Sequence, residues 1–153
     1  MSNPITIPLD NDSYEQQLAY DLVANTNRCL FITGKAGTGK TTFIQRIQKE
    51  IQKDFVVLAP TGIAAIAAGG QTVHSFFGFP MEVIGPHTKL QVSFSNEELL
   101  RHVDTIIVDE ASMLRSDMVD GMDRYLRLAF HNNMPFGGKQ IVFVGDLFQL
   151  PPV

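Results

Sequence analysis

Residues 34–41, "GKAGTGKT", place three glycines, two lysines and two threonines behind the apolar run "LFIT" and ahead of a stretch with helical apolar spacing. This satisfies GxxxxGK[ST] in the strand-to-helix setting where the pattern cradles phosphate. Gly34, Gly37 and Gly39 let the backbone wrap an anion without side chains in the way. Its N–H groups and the following helix N-terminus supply partial positive charge. Lys40 is expected to reach the β- and γ-phosphates of a nucleotide and Thr41 to hold Mg2+ through its hydroxyl. The whole cradle comprises Gly34, Ala36, Gly37, Thr38, Gly39, Lys40, Thr41 and Thr42. Lys35 is not fixed by the pattern and reads as solvated. A second chemical group is "TIIVDEAS", which puts Asp109 and Glu110 at the end of an apolar strand. Asp109 suits a metal anchor and Glu110 a base or orienting group for an attacking water. The third is "GDLFQLPPV", where Gln149 could touch the terminal phosphate or its water, although Gly, Asp and Pro also favour a plain strand-ending turn.

These groups need elements to position them. "CLFIT", "FVVLA", "TIIVD" and "QIVFVGD" are short, β-rich and apolar almost throughout, as parallel strands buried on both faces should be. Helical patterns follow Gly39 and Thr61, and from about Ser116 the residues Met118, Met122, Tyr125, Leu126 and Ala129 recur at helical spacing as a core stripe. An N-terminal helix is expected where Ser13 and Gln16 stand at capping-box spacing. The alternation predicts an α/β domain with a parallel sheet and helices on both faces. Residues 78–94 break the alternation with two prolines and two glycines. They are expected to form an inserted loop with a short strand pair near Leu90 to Phe94, before Ser95 and Glu98 restart helix.

Composition bounds the rest. The 153 residues, 44% of them hydrophobic, suit one compact domain. No apolar run approaches the roughly 20 residues of a membrane span, and no charged-then-apolar leader is present, so a soluble chain with no membrane partner is expected. One cysteine, Cys29, excludes an internal disulfide and favours a reducing, cytoplasmic setting, with the thiol in the core. A net charge of -4 and a pI near 5.5 exclude a general basic coat, so any nucleic-acid contact must be local.

Taken in order, "GKAGTGKT", "APTGIAA", "GGQTVHSFF", "VDEAS" and "GDLFQLPPV" make the chain resemble the first RecA-like domain of a superfamily-one DNA helicase of the RecD/Pif-like type, over nearly its whole length. The resemblance implies a P-loop NTPase fold with the four strands in the order 1-4-3-2, which leaves the phosphate-loop strand at an exposed edge. It implies ATP and Mg2+ as cofactors and ATP-driven 5'-to-3' movement on single-stranded DNA. Lys40 and Thr41 match the family's phosphate and metal ligands, Asp109 its metal-binding acid, Glu110 its catalytic acid and Gln149 its γ-phosphate sensor. Gln17 matches the glutamine that reads the adenine edge, with neighbouring Gln16 as the alternative. Thr61, Gly62, His74 and Ser75 match contacts to the DNA backbone, with Phe76 or Phe77 near a base. The competing reading buries His74 and both phenylalanines in the core. Residues 78–94 correspond to the family's wedge-like insertion. The family's motor has a second RecA-like domain carrying an arginine finger. The sequence stops after Val153, so a truncated motor that cannot unwind by itself is expected. A nucleotide-dependent DNA-binding adaptor, and more remotely a P-loop kinase, share the phosphate loop.

Overall fold

The computed structural model describes residues 5–9, 13–34 and 39–146. Six strands form one sheet: β1 (Ile5–Pro8), β2 (Leu30–Thr33), β3 (Phe55–Ala59), β4 (Gln71–Thr72), β5 (Thr105–Val108) and β6 (Gln140–Gly145). Their order is β1-β2-β6-β5-β3-β4 and every pairing is parallel. The four expected strands pair in the expected order. The expected open edge at the phosphate-loop strand is corrected, because β1 runs beside β2 from Ile5 opposite Leu30 to Pro8 opposite Thr33. Proline lacks a backbone donor, so Pro8 is tolerated on this outermost strand.

Helices cover both faces because the strands are apolar on both. α1 (Ser13–Asn25) and α2 (Lys40–Glu50) press Ala19, Val23, Phe43, Ile44 and Ile47 against Ile32, Ile107 and Val142. α3 (Gly62–Ala68) adds Ala68 to the same layer. On the other face lie α4 (Val73–Phe77), α5 (Phe94–His102) and α6 (Ser116–Phe130). The stripe Met118, Met122, Tyr125, Leu126 and Ala129 is buried there, as its spacing predicts. Cys29 is half-buried at the edge of this core, and burial pushes its thiol pKa up. Ser13 opens α1, but its side chain lies outside the described residues.

Residues 78–93 contain neither strand nor helix, so the expected strand pair near Leu90 is absent. Leu90 and Val92 instead pack, half-buried, against the core without regular structure, and Phe94 already belongs to α5. The helix cap is also corrected: Ser93, not Ser95, accepts the N–H of Asn96 at 3.2 Å. What fixes this loop is α6. Asp117 accepts the Ile84 N–H at 2.8 Å, and Arg124 donates to the carbonyls of Gly85 at 3.0 Å and Thr88 at 2.6 Å.

At the amino ends of the strands, Gln140 is 1% exposed and fully engaged. Its Oε1 accepts from Thr105 Oγ1 at 2.6 Å and Lys53 Nζ at 3.1 Å, while Nε2 donates to the carbonyls of Thr26 and Arg28 at 3.0 Å each. Lys53 also donates to the Val23 carbonyl at 2.6 Å. The carboxyl end of α1 is thereby tied to the sheet.

The loop clamp makes a pH-dependent prediction. Partial burial opposes ionisation of Asp117, but the Ile84 N–H and the Arg115 guanidinium outweigh it and hold the carboxyl below its ordinary 3.8. Its stabilising contribution is present above that ordinary value and lost as pH falls through the lower folded value. Asp117→Asn should therefore be less stable than the parent at neutral pH, with the difference shrinking below about pH 4. Urea midpoints measured across that range would check it.

Candidate functional site

The site grows from strands that end at one level. Gly34 continues β2 and donates its N–H to the carbonyl of Gly145, the last residue of β6, at 3.3 Å. After residues 35–38 the chain re-enters α2 through Gly39, whose φ of 87° and ψ of 18° are left-handed and suit glycine alone at little cost. Lys40, the first residue of α2, sends Nζ back to the Gly34 carbonyl at 2.5 Å, across the mouth of the turn. Thr41 and Thr42 follow, both exposed. Ala36, Gly37, Thr38 and Gln149 lie outside the described residues.

The carboxylates arrive from β5. Asp109 extends its pairing by donating N–H to the Leu58 carbonyl at 2.8 Å, and its Oδ1 accepts the N–H of Glu110 at 2.9 Å. Glu110 is left-handed, with φ 53° and ψ 38°, a conformation that costs a non-glycine residue about 1–3 kcal/mol and turns the chain sharply into the 3-10 turn Ala111–Met113. Burial, chiefly, raises the Glu110 pKa above its ordinary 4.5; Asp109 and Asp146 raise it further while Lys40 pulls it down. One acid therefore senses the phosphate-loop lysine and two other acids at once. Asp146 is 8% exposed and was legible in the sequence only as a turn former. Its burial, which places it within electrostatic reach of Glu110, could not be inferred from "GD".

The contact that brings this turn against β6 is steric. A Cβ on Gly145 would lie 2.9 Å from the Ser112 backbone nitrogen and 3.2 Å from its Oγ. Only glycine permits this approach. Next to it on β2, Thr33 carries a buried hydroxyl with no hydrogen-bond partner among the described residues.

The donors fit Mg2+, which takes hard oxygens and binds through one or two carboxylates plus substrate phosphates rather than an all-protein cage. Asp109 and Thr41 supply a carboxylate and a hydroxyl. Among the described residues no group of three or more His, Cys, Asp or Glu could hold a metal by itself.

Gln17 is exposed on α1 and donates Nε2 to Asp21 Oδ1 at 2.9 Å, whereas Gln16 is half-buried. Thr61 is exposed and caps α3 by accepting the Ala64 N–H at 3.2 Å; Gly62 is exposed beside it. Ser75 is exposed on α4, and half-buried His74 keeps Nε2 inside, where among the described residues it has no hydrogen-bond partner. Phe76 and Phe77 are each 3% exposed. Phe77 stacks on Phe79 and meets Tyr125 edge-on at 4.9 Å, so neither ring offers a face to a base and the expected aromatic contact is corrected. On the same short helix Ser75 is exposed and His74 half-buried.

Residues 12–153 match the PIF1-like helicase family. The chain belongs to that family. It is 39% identical over 150 residues to the ATP-dependent DNA helicase PIF1 of Saccharomyces cerevisiae, covering 92% of this chain and 17% of that protein. It is 36% identical over 145 residues to the ATP-dependent DNA helicase Pif1 of Bdellovibrio bacteriovorus, covering 92% of this chain and 33% of that one. Among solved structures, Bacteroides sp Pif1 in complex with ADP-AlF4 superposes with a TM-score of 0.85 at 47% identity, over 90% of this chain and 33% of that chain. Bacteroides Pif1 bound to ssDNA gives 0.84 at 47%, over 92% and 33%. The parallel sheet is thus that of the Pif1 RecA-like domains, and the chain spans a third or less of these relatives. Among the described residues no helix is long and apolar enough to cross a membrane.

Two outcomes follow for this PIF1-like site. In the metal-free protein, Glu110 should titrate above 4.5; Asp109→Asn should lower its pKa by removing a negative neighbour, and Lys40→Met should raise it. Carbon-detected NMR of the carboxyl resonances would read both signs. Gly145→Ala should cost about 1–3 kcal/mol in denaturant unfolding through forced overpacking against Ser112.

Proposed function

We propose that the chain is the ATP-binding and ATP-hydrolysing motor domain of a Pif1-type DNA helicase, which couples hydrolysis to movement on single-stranded DNA. The observation that carries this reading is the convergence of Lys40, Asp109, Glu110 and Asp146 at the carboxyl edge of one parallel sheet, where open α/β sheets take their ligands. The curated relatives are named ATP-dependent DNA helicases, and the Bacteroides structures carry ADP-AlF4 or ssDNA.

The residues divide the work. Residues 34–42 receive the phosphate chain: the backbone N–H groups hold its oxygens, and Lys40 leaves the Gly34 carbonyl to meet the β- and γ-phosphates. Thr41 and Asp109 would hold Mg2+, which would neutralise charge developing on the phosphates. Glu110 accepts a hydrogen bond from the attacking water and orients it in line with the terminal phosphorus. Partial burial keeps this carboxylate more basic than one in water, which suits a base. Gln149 is assigned to the terminal phosphate and Gln17 to the adenine edge. Exposed Thr61, Gly62 and Ser75, together with His74, form the DNA-facing side. Contacts of this type go to phosphates and carry little base information. The loop 78–93, pinned to α6, is assigned to the wedge-like insertion.

A second RecA-like domain completes this motor. An arginine finger is worth roughly 1,000- to 100,000-fold in turnover in related phosphate-loop enzymes, so these 153 residues should bind ATP-Mg2+, hydrolyse it slowly and unwind nothing. In a polypeptide that carries both RecA-like domains, Lys40→Ala should weaken nucleotide binding. Glu110→Gln should keep binding and lose at least about 100-fold in hydrolysis. ATP turnover with and without single-stranded DNA is the deciding measurement. Stimulation by DNA supports the motor, nucleotide binding without DNA-dependent turnover supports an adaptor, and equal turnover in Glu110→Gln removes that residue from the mechanism.

A further inference from the structure

The short helix α4 carries His74 and Ser75, yet five residues cannot hold a helix in place by their own hydrogen bonds. Its amino end is capped by Thr72 Oγ1, which accepts the Ser75 N–H at 3.1 Å. At its carboxyl end the His74 carbonyl accepts the N–H groups of Gly78 and Phe79. The Phe76 carbonyl, one of the orphan acceptors of a helix end, is met from outside: Asn96 Nδ2 donates to it at 2.6 Å. The same amide nitrogen donates to Tyr125 Oη at 3.0 Å. Asn96 is itself held in the first turn of α5 by Ser93, and the Tyr125 ring meets Phe77 edge-on at 4.9 Å and Phe79 at 6.4 Å.

The geometry points to Asn96 as a positioning residue for DNA: by bridging the Phe76 carbonyl to Tyr125, it sets the orientation in which α4 presents His74 and Ser75 to the strand. The inference rests on the proposed DNA-facing role of α4. Three separate elements, α4, α5 and α6, meet at one amide group. An amide is required, since both of its partners are oxygens and the Phe76 carbonyl can only accept. A carboxylate of the same shape has no proton to give. Asn96 touches neither the phosphate cradle nor the acid turn through any of these bonds, so its effect should separate DNA affinity from nucleotide affinity.

The test uses this chain, with fluorescence anisotropy of a labelled oligo-dT strand and of a labelled ADP analogue, well below the melting temperature. Asn96→Asp should weaken oligo-dT binding by about tenfold, the size expected when a part-buried carbonyl loses its donor and faces an acceptor. ADP affinity should stay within about twofold, a change near the noise of the assay. Tyr125→Phe, which keeps the ring and removes the oxygen, should move DNA affinity in the same direction by less. Ile7→Ala, in the outermost strand and on the other face of the sheet, supplies a destabilised control whose DNA affinity should match the parent. Parent-like DNA binding by Asn96→Asp would overturn the inference and leave the proposed function standing. Parallel loss of DNA and ADP binding in Asn96→Asp would also overturn it, by showing general damage. Failure of the parent to bind oligo-dT would overturn the DNA reading of α4 and this inference together.

Discussion

Lateral pairing of β2 with β6, and of β6 with β5, is the constraint on which the rest of the molecule depends. Thr33 stands opposite Gly145 and Phe143 opposite Val108, so a phosphate loop leaving β2 and an acid turn leaving β5 emerge on either side of the same strand. Gly145 then lets the acid turn close onto β6, and the Gly34 N–H reaches the Gly145 carbonyl from the other flank. A one-residue slip of the β6 register would separate Lys40 from Glu110 and exchange the side chains of β6 between the two helix layers at the same time. Fold and chemistry therefore share one set of hydrogen bonds.

Much of this was legible in the sequence because the signals were redundant. "FVVLA" and "QIVFVG" can satisfy neighbours on both faces only inside a parallel sheet, and "GKAGTGKT" has no comparably common alternative after a strand. Strand β1 was missed because "ITIP" is four residues long and contains a turn-forming proline, while its pairing partner lies 25 residues on, at Leu30. The strand pair at residues 90–94 was wrongly expected because Leu90 and Val92 alternate as strand residues do. Alternation records which side chains face a core, and a helix layer buries them as well as a sheet.

The site was legible in kind more than in arrangement. Motifs named Lys40, Asp109 and Glu110, yet Asp146 enters their electrostatic company only through burial, and the left-handed turn at Glu110 has no signature in "VDEAS". Phe76 and Phe77 show the opposite failure. Aromatic residues in a DNA-facing motif suggest stacking on bases, but helical spacing turns their rings inward while leaving Ser75 outside. Asn96 had no signal at all, because a single amide in a polar helix start gains meaning only from the carbonyl it meets.

The placement of β6 also has a consequence for how the chain is made. Its partners β2 and β5 flank it in space, but Leu30 and Val142 are far apart in sequence, so ribosomes working at about 5–20 residues per second need several seconds to about 20 s between them. Throughout that interval β2 lacks its β6 neighbour, and β5 lacks it from its own synthesis onward, with unpaired backbone edges open to the wrong strand. The sheet can therefore zip shut only once β6, which pairs with both β2 and β5, has been made.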